Sequence, residues 1–347
     1  MMPQSQLSRL GLFDAKVPRY TSYPTAVQFA TDVQGAQLEQ WLGDVDRDSA
    51  ISMYLHIPFC KRLCWFCACR TQGVTTDAPV QSYLGTLRRE IAMVAAAMPD
   101  GITLNRLHWG GGSPTILPAA DIERLALTIR DLLPHADDIE FCVEIDPGEV
   151  DDLRLDALRD AGMNRASIGV QDFDRKVQAT IGREQSFEIT QKVTRALRRR
   201  GIHSLNIDLL YGLPHQTVSG IKETAQKVTA LNPDRLALYG YAHVPWMARR
   251  QTMIPEQHLP DAGLRLDLSE TAREVFEAAG YVAVGIDHFA KPGDGLAQAR
   301  NLGQLRRNFQ GYTDDRSRVL VGVGASAISR FPQGYVQNIS ATSAYLK

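Results

Sequence analysis

The sequence has almost no net charge, no long apolar run and few cysteines, and each scarcity excludes a class of protein. Its 38 basic and 39 acidic residues give a net charge of −1, so there is no global attraction to nucleic acid or to an anionic membrane. No run approaches the roughly eighteen apolar residues of a membrane span, and the N-terminus lacks the apolar core of a signal peptide. We therefore expect a cytoplasmic protein with no nucleic-acid partner and no membrane partner.

The five cysteines are unevenly distributed, and three of them form a motif. Cys60, Cys64 and Cys67 lie within eight positions, directly after the apolar run 51–57. An odd count without an export signal argues against disulfides. A [4Fe–4S] cluster held by three thiolates leaves one iron open. This spacing is used by enzymes that hold S-adenosylmethionine (SAM) on that iron and cleave it to a carbon radical. The motif therefore predicts a cluster and SAM chemistry.

Structural zinc is the main rival interpretation of the motif, because Cys69 adds a fourth nearby thiol. Zinc sites of that kind usually combine two well-separated Cys-x-x-Cys hairpins, which surround the ion tetrahedrally. Four thiols within ten residues fit that geometry poorly. Cys142, which lies in another apolar run, is predicted to be a buried strand residue.

Short apolar runs alternate with segments of helical period from residue 50 onward. Predicted strands cover 51–57, 104–109, 139–145, 165–170, 204–211 and 235–241, and predicted helices cover 84–98, 151–162, 189–200 and 216–231. Such strand–helix repeats predict an α/β protein with a parallel sheet and outer helices, either an open doubly wound sheet or a barrel. Polar residues follow most of the strands, and barrel enzymes collect their chemistry at this edge.

Two further features have both a bland and a functional interpretation. The run from Gly110 to Pro114 lacks the spacing of a dinucleotide or phosphate loop. It is either a tight turn or a place where the backbone approaches a ligand, here SAM. Arg183 follows a helical segment, and its sequence context alone favours a solvated surface arginine.

Beyond these patterns, the chain resembles the oxygen-independent coproporphyrinogen III oxidases, radical SAM enzymes of haem biosynthesis. The stretches that carry the resemblance occur in family order: the cysteine motif and 18–26, 54–60, 108–115, 169–173, 206–214, 285–290 and 308–313. They extend over about residues 15 to 340. The related haem chaperones share the three cysteines but typically lack the 18–26 segment and the thiol at Cys69.

The resemblance implies a partial (β/α)6 radical SAM barrel with an N-terminal extension. It divides the chain into an N-terminal segment, 1–48, that packs on the barrel and substrate region, the barrel itself, 49–290, and a post-barrel segment, 291–347. It implies that Cys60, Cys64 and Cys67 ligate the cluster, and that Tyr54 is catalytic. The implied SAM contacts are Tyr54, Gly111, Gly112, Ser113, Glu144, Gln171, Arg183, Asp208, Ala242 and Ile328. For Arg183 this reverses the surface interpretation, because the side chain becomes a candidate partner of the SAM carboxylate.

The implied reaction is the oxidative decarboxylation of two propionates of coproporphyrinogen III to vinyl groups, which gives protoporphyrinogen IX. The implied cofactors are the [4Fe–4S] cluster and SAM. The implied partners are the small-molecule substrate and an electron donor such as flavodoxin or ferredoxin, and the protein is expected to be a monomer. Two alternatives remain open at this point: a haem- or cluster-binding carrier without decarboxylase activity, and a radical SAM enzyme that acts on another tetrapyrrole.

A substrate with four carboxylates also needs cationic partners, and the balanced net charge does not reveal them. Arg19 and the pair Arg306 and Arg307 are hypotheses for that role. The resembling family continues past the region of Tyr345 into a mostly helical C-terminal domain of about a hundred residues. Because this chain ends at Lys347, we expect it to bind cluster and SAM but to turn over poorly.

Overall fold

A computed structural model describes residues 6, 9–11, 28–30 and 33–347. The segment 18–26, with Arg19, lies outside the described residues. The strands are β1 Ala50–Ile57, β2 Phe59–Cys60, β3 Gln72–Gly73, β4 Thr103–Gly111, β5 His135–Ile145, β6 Arg165–Gln171, β7 Ser204–Tyr211, β8 Arg235–Gly240, β9 Val282–Val284, β10 His288–Ala290, β11 Arg306–Asn308, β12 Gly311–Thr313, β13 Leu320–Val323, β14 Ile328–Phe331 and β15 Gly334–Gln337.

The helices are α1 Gly35–Gly43, α2 Ala78–Ala97, α3 Ala119–Leu132, α4 Asp152–Asp160, α5 Arg175–Thr180, α6 Phe187–Arg199, α7 Val218–Ala230, α8 Ala262–Ala278, α9 Gly295–Asn301 and α10 Thr342–Tyr345. The six predicted strands and four predicted helices are all confirmed, with ends that differ by a few residues. No helix among the described residues is long and apolar enough to cross a bilayer.

The main sheet has eleven strands in the order β15-β14-β13-β1-β4-β5-β6-β7-β8-β10-β9. The strands from β13 to β8 in this order are parallel, whereas β14, β15, β9 and β10 add antiparallel edges. The strand β13, from the last thirty residues of the chain, pairs with β1 at Tyr54↔Gly322. The C-terminal part of the chain therefore extends the sheet beside the cysteine loop.

The sheet is curved into an incomplete barrel: the carboxylate of Asp314 contacts arginines on two strands that are not neighbours in the sheet. Asp314 lies 3.1 Å from Arg106 Nη2 on β4 and 3.4 Å from Arg235 Nη2 on β8. Three strands separate β4 from β8 in the sheet, and in a flat sheet they would lie about 19 Å apart at 4.8 Å per strand. Both arginines reach one carboxylate only because the sheet closes around it. Of the two architectures that the strand–helix repeats allowed, the structure therefore has the barrel and not the open doubly wound sheet.

The outer face of the sheet packs on the helices because each helix has one apolar side. In α6, Val193, Ala196 and Leu197 are buried at three- and four-residue steps, the spacing of one helix face. Ser186 begins this helix by accepting a hydrogen bond from the backbone N–H of Ile189, and Gly201 follows it at φ +82°. These local signals orient α6 so that its apolar side faces the sheet.

The inner face of the barrel is polar, in contrast to the outer face. Paired residues on successive strands place His108 beside Cys142, Ser167 beside Asn206, and Arg165 beside Ser204. At the N-terminal ends of the strands, arginines and acids form a network that fills the barrel. Its members are Arg106, Glu140, Arg165, Arg235, Asp294 and Asp314. The opposite end, at the carboxyl ends of the strands, holds the cysteines.

Candidate active site

The three motif cysteines lie on a loop that is fixed at both ends. Strand β2 pairs with β3 at Phe59↔Gln72 and Cys60↔Gly73, so the residues between them form a closed loop beyond β1. Within it, the Trp65 N–H donates to the Ile181 carbonyl at 2.9 Å, and the Phe66 carbonyl accepts from Gln251 Nε2 at 2.8 Å. The backbone around the cysteines is therefore positioned by the loops that follow β6 and β8.

The thiols influence one another electrostatically, which places them in one cluster. All five cysteines are free; Cys64 is buried, Cys60 and Cys67 are half-buried, and Cys69 is exposed. Burial, together with smaller contributions from the charges of Cys67 and Cys64, raises the pKa of Cys60 to about 12. A hydrogen bond from Cys69 lowers the pKa of Cys67 to about 6. An iron–sulfur cluster would hold these groups as thiolates, because the positive charge of its irons compensates the charge of the sulfur ligands.

The donor set therefore fits an iron–sulfur cluster. Among the described residues, no group of three or more His, Cys, Asp or Glu side chains converges to hold a single metal ion. In a cluster the thiolates bind separate irons and need not converge on one point. The assignment of Cys60, Cys64 and Cys67 as cluster ligands stays a prediction.

Arg183 is buried beside these thiols. The residue is 9% exposed. Its Nη1 lies 3.5 Å from Cys64 Sγ and 3.3 Å from Asp146 Oδ2. Nη2 donates to the Gly169 carbonyl at 2.8 Å, while Nε is buried without a hydrogen-bond partner. The sequence interpretation of Arg183 as a solvated surface residue is wrong, because its sequence neighbours do not reveal that the following loop folds back over the cysteines.

The glycine run after β4 binds the cysteine loop directly. The Gly112 N–H donates to the Ile57 carbonyl and the Ser113 N–H to the Phe59 carbonyl, both at 2.8 Å. A Cβ on Gly112 would lie 2.4 Å from the Phe59 carbonyl oxygen, so only glycine fits there. Gly111, at φ +111°, donates to Glu144 Oε2 at 3.2 Å. These glycines allow a close approach between two backbones, in addition to any role toward SAM.

Tyr54 and Glu144 line the barrel interior below the cysteine loop. The Tyr54 ring stacks on His108 at 5.6 Å between centroids, and its hydroxyl lies 3.0 Å from His56 Nδ1. Glu144 Oε1 lies 3.3 Å from His108 Nε2. Although burial acts to lower it, contacts with Cys142 and Glu144 raise the pKa of His108 to about 10. The contacts of His108 therefore favour the protonated form of its ring, which stacks on Tyr54.

Asp208 lies on the neighbouring side of the same interior. It accepts hydrogen bonds from Asn206 Nδ2 at 2.7 Å and from Ser167 Oγ at 3.2 Å. Burial raises the pKa of Asp208, and the negative charge of Glu144 adds to this effect. Two carboxylates in one low-dielectric space suit a ligand with positive charge.

The remaining predicted positions lie around the rim of the barrel. Gln171 has a φ of +71°. Its side-chain amide and Arg183 Nη2 both lie next to Gly169, at 3.2 and 3.3 Å from the position that a Cβ on this glycine would occupy. Ser113 is buried, with its hydroxyl 3.0 Å from Thr115 Oγ1. Ala242 is exposed, and its carbonyl accepts from Gln251 Nε2. Ile328 is half-buried on β14. Their roles toward SAM stay predictions.

A chain of three interior side chains was not singled out by the sequence analysis. His288 Nδ1 lies 2.6 Å from Asp287 Oδ1, and His288 Nε2 lies 3.3 Å from Tyr239 Oη. The stretch 285–290 carried the family resemblance, but no residue in it was assigned a role. The available signal was an Asp-His pair at the start of a short apolar strand, where buried polar side chains require partners.

Known proteins agree with this geometry. The Radical SAM superfamily matches residues 54–228. The chain is 60% identical over 346 residues to an oxygen-independent coproporphyrinogen III oxidase of Paracoccus denitrificans, a match that covers 100% of this chain and 77% of the relative. It is 43% identical over 321 residues to one of Salmonella typhimurium, covering 92% and 70%.

A solved structure is similar along nearly the whole chain. The coproporphyrinogen III oxidase of Escherichia coli, described as a radical SAM enzyme, superposes with a TM-score of 0.91 at 39% identity, covering 97% of this chain and 76% of the other. The shared barrel and the high identity to full-length relatives leave one assignment. The chain belongs to the radical SAM superfamily and, within it, to the oxygen-independent coproporphyrinogen III oxidases.

Proposed function

We propose that this protein is an oxygen-independent coproporphyrinogen III dehydrogenase, an oxidoreductase of anaerobic haem biosynthesis. Two propionate side chains of coproporphyrinogen III become vinyl groups, which gives protoporphyrinogen IX. At each propionate, one hydrogen atom leaves the β-carbon, the carboxylate leaves as CO2, and one further electron passes to an acceptor. The observation that carries the proposal is the loop of free cysteines that closes a polar barrel lined by Tyr54, Glu144 and Asp208.

When bound, the [4Fe–4S] cluster and SAM supply the one-electron chemistry that generates the hydrogen-abstracting carbon radical. The residues of this chain bind and orient the reactants. Arg183 Nε, buried without a partner, can donate to the SAM carboxylate. Glu144 and Asp208 would supply negative charge that attracts the ammonium and sulfonium groups of SAM. Gly112 and Ser113 fix the edge of the site against the cysteine loop, and the Gly111 N–H donates to Glu144.

A reactive carbon radical must meet only its substrate, and the barrel provides that isolation. Tyr54 is buried between the rings of His108 and Phe309, at 5.6 and 5.0 Å between centroids. The arginine–acid network closes the opposite end of the barrel. These contacts limit the access of water to the reacting centre from two sides.

Arg307 is our candidate for binding a substrate propionate. Its guanidinium lies over the Tyr312 ring at 4.9 Å. Burial raises the pKa of Tyr239 in the barrel interior, and the charge of Arg307 acts in the opposite direction. Arg306 is exposed, and it donates to the Arg316 carbonyl at 3.2 Å. Of this pair, Arg307 is the one that can place charge near a tetrapyrrole in the barrel.

Several features of the assembled system are also part of the proposal. We propose a cytoplasmic monomer that receives electrons from a flavodoxin or ferredoxin and binds neither nucleic acid nor membrane. The five free thiols support a reducing compartment, and the net charge of −1 gives no attraction to nucleic acid. We also propose that the chain consists of an N-terminal segment, 1–48, the barrel, 49–290, and a post-barrel segment, 291–347. The post-barrel segment contributes β13 next to β1.

One anaerobic assay tests the activity. The cluster is reconstituted, SAM, dithionite and coproporphyrinogen III are added, and 5′-deoxyadenosine and CO2 are followed. We expect both products, and two CO2 for each protoporphyrinogen IX. Absence of 5′-deoxyadenosine would instead favour the carrier, and 5′-deoxyadenosine without CO2 would favour another tetrapyrrole substrate. C64S should lose iron, whereas C142S should keep it, because Cys142 faces His108 inside the barrel.

A further inference from the structure

Arg250 contacts the cysteine loop from a distant part of the chain. It lies in a short 3-10 turn, Arg249–Met253, that follows β8. Its Nη2 donates to the Thr71 carbonyl at 2.5 Å and to Thr71 Oγ1 at 2.9 Å, and it reaches the Cys69 carbonyl at 3.5 Å. A guanidinium is thus fixed against the C-terminal end of the loop that carries the cysteines.

The neighbouring residue holds this turn in place. Gln251 is 1% exposed, and its Nε2 donates to the Phe66 carbonyl at 2.8 Å and to the Ala242 carbonyl at 3.1 Å. Its Oε1 accepts from the Val244 N–H at 2.6 Å. Because Gln251 joins the two loops through buried hydrogen bonds, the position of Arg250 is not that of a freely moving surface side chain.

Arg250 has no carboxylate partner within the described part of the chain. Other buried arginines do have one: Arg183 lies 3.3 Å from Asp146, and Arg235 lies 2.6 Å from Asp294. None of the ion pairs within 4.0 Å among the described residues includes Arg250, although its side chain is half-buried. A partly desolvated cation without a counter-charge is unfavourable. Its position therefore indicates an anionic partner that is a ligand.

Arg250 contacts the same loop that carries the three motif cysteines. Its Nη2 reaches the carbonyl of Cys69, two residues beyond Cys67, so the guanidinium lies against the segment that carries the motif. Arg183 also contacts the motif, with Nη1 3.5 Å from Cys64 Sγ. Two cations thus contact the cysteine loop, and one of them, Arg250, has no ion pair within 4.0 Å in the described part of the chain. The anion that fits beside these two arginines is an iron–sulfur cluster with three thiolate ligands. Reduction of such a cluster by one electron makes its charge more negative by one.

We propose that Arg250 is the counter-charge of the iron–sulfur cluster held by Cys60, Cys64 and Cys67, and that it raises the reduction potential of that cluster. The inference rests on the cluster part of the proposed function and not on the substrate. A fixed cation favours the more negative, reduced state of the cluster, since the Coulomb attraction grows with the added electron. Arg250 therefore acts on the cluster through its positive charge and does not bind iron.

The test compares R250Q and R250K with the matched control R249Q, an exposed arginine in the same turn. Each protein is reconstituted anaerobically, its iron and sulfide are measured, and the midpoint potential is determined by an EPR-monitored titration without SAM or substrate. We expect R250Q to have a more negative midpoint potential than the wild type. R250K and R249Q should keep the wild-type potential, because both retain the cation next to the loop.

Each result decides between the alternatives. An unchanged potential in R250Q with full iron content would overturn the proposal, and so would an equal shift in R250Q and R250K, because charge would then not be the cause. Loss of iron from R250Q alone would support the counter-charge. R250M replaces R250Q if circular dichroism shows that R250Q does not fold. A wild type without iron would refute the cluster itself, whereas a wild type with iron but no CO2 release would refute only the substrate.

Discussion

At the scale of single residues, burial decides the chemistry of side chains that look ordinary in the sequence. Arg183 has a sequence context typical of the surface, yet it bridges Cys64 and Asp146. His108 lies inside the barrel, where Cys142 and Glu144 favour its protonated form. The glycine run allowed two interpretations in sequence, and in the structure Gly112 makes close backbone contact with Phe59.

Gly112 gives the first prediction. In G112A the new Cβ would lie 2.4 Å from a backbone oxygen that cannot rotate away, so we expect a loss of about 2 to 3 kcal/mol in the free energy of unfolding. Iron content after reconstitution should fall as well, because Phe59 precedes Cys60. The measurement is urea denaturation combined with an iron assay.

The control for G112A is G85A. Gly85 lies inside α2, and no atom comes within 4 Å of the position that an alanine Cβ would occupy there. Alanine at this position should therefore stabilise the protein by about 0.5 to 1 kcal/mol. If G112A were as stable as G85A and retained its iron, the close contact with Phe59 would not be a constraint.

At the scale of elements, strand β5 shows how period-two alternation builds the barrel interior. Glu140, Cys142 and Glu144 point inward, whereas Phe141 and Val143 between them are buried toward the helices. Glu140 binds Arg106 at 2.7 Å and Arg165 at 3.3 Å. Although burial acts to raise it, these arginines lower the pKa of Glu140 to about 2.

The lowered pKa of Glu140 predicts a specific acid sensitivity. An acid whose pKa is lower in the folded state stabilises the fold above its unfolded value of 4.5, and this contribution is lost as the pH falls toward about 2. The unfolding free energy of the wild type minus that of E140Q should be constant above pH 5 and should shrink by on the order of 2 kcal/mol toward pH 2. Denaturant titrations at several pH values measure it.

A matched variant is E123Q, because Glu123 is exposed on α3. This variant should change the unfolding free energy by less than about 0.5 kcal/mol. A wild-type minus E140Q difference that did not vary with pH would contradict the role of the two arginines.

At the scale of the whole molecule, the residues after 290 add a strand and charged partners to the barrel. Asp314 links Arg106 and Arg235 from opposite sides of the interior, and Asp294 binds Arg235 at 2.6 Å. Ser52 on β1 donates to Asp315 Oδ2 at 2.5 Å. The residues after 290 therefore supply counter-charges to the barrel in addition to strand β13.

Removal of Asp314 tests this closure. D314A deprives the buried Arg235 and the half-buried Arg106 of one shared carboxylate, so we expect a loss of about 3 kcal/mol in the free energy of unfolding. D46A is the matched control: Asp46 and Arg318 lie 3.8 Å apart, with side chains 79% and 73% exposed. Its loss should be below about 0.5 kcal/mol. Equal losses in thermal or chemical denaturation of the two variants would show that Asp314 does not hold the barrel together.

The sequence by itself determined the strands, the helices and the cysteine spacing, because alternation, helical period and motif spacing are properties of neighbouring residues. Tertiary structure alone decided which charges meet. Arg250 reaches Thr71 across 179 positions, and Arg106 and Arg235 share Asp314 only because the sheet curves. Such contacts depend on the path of the chain in space, and neither periodicity nor local composition encodes that path.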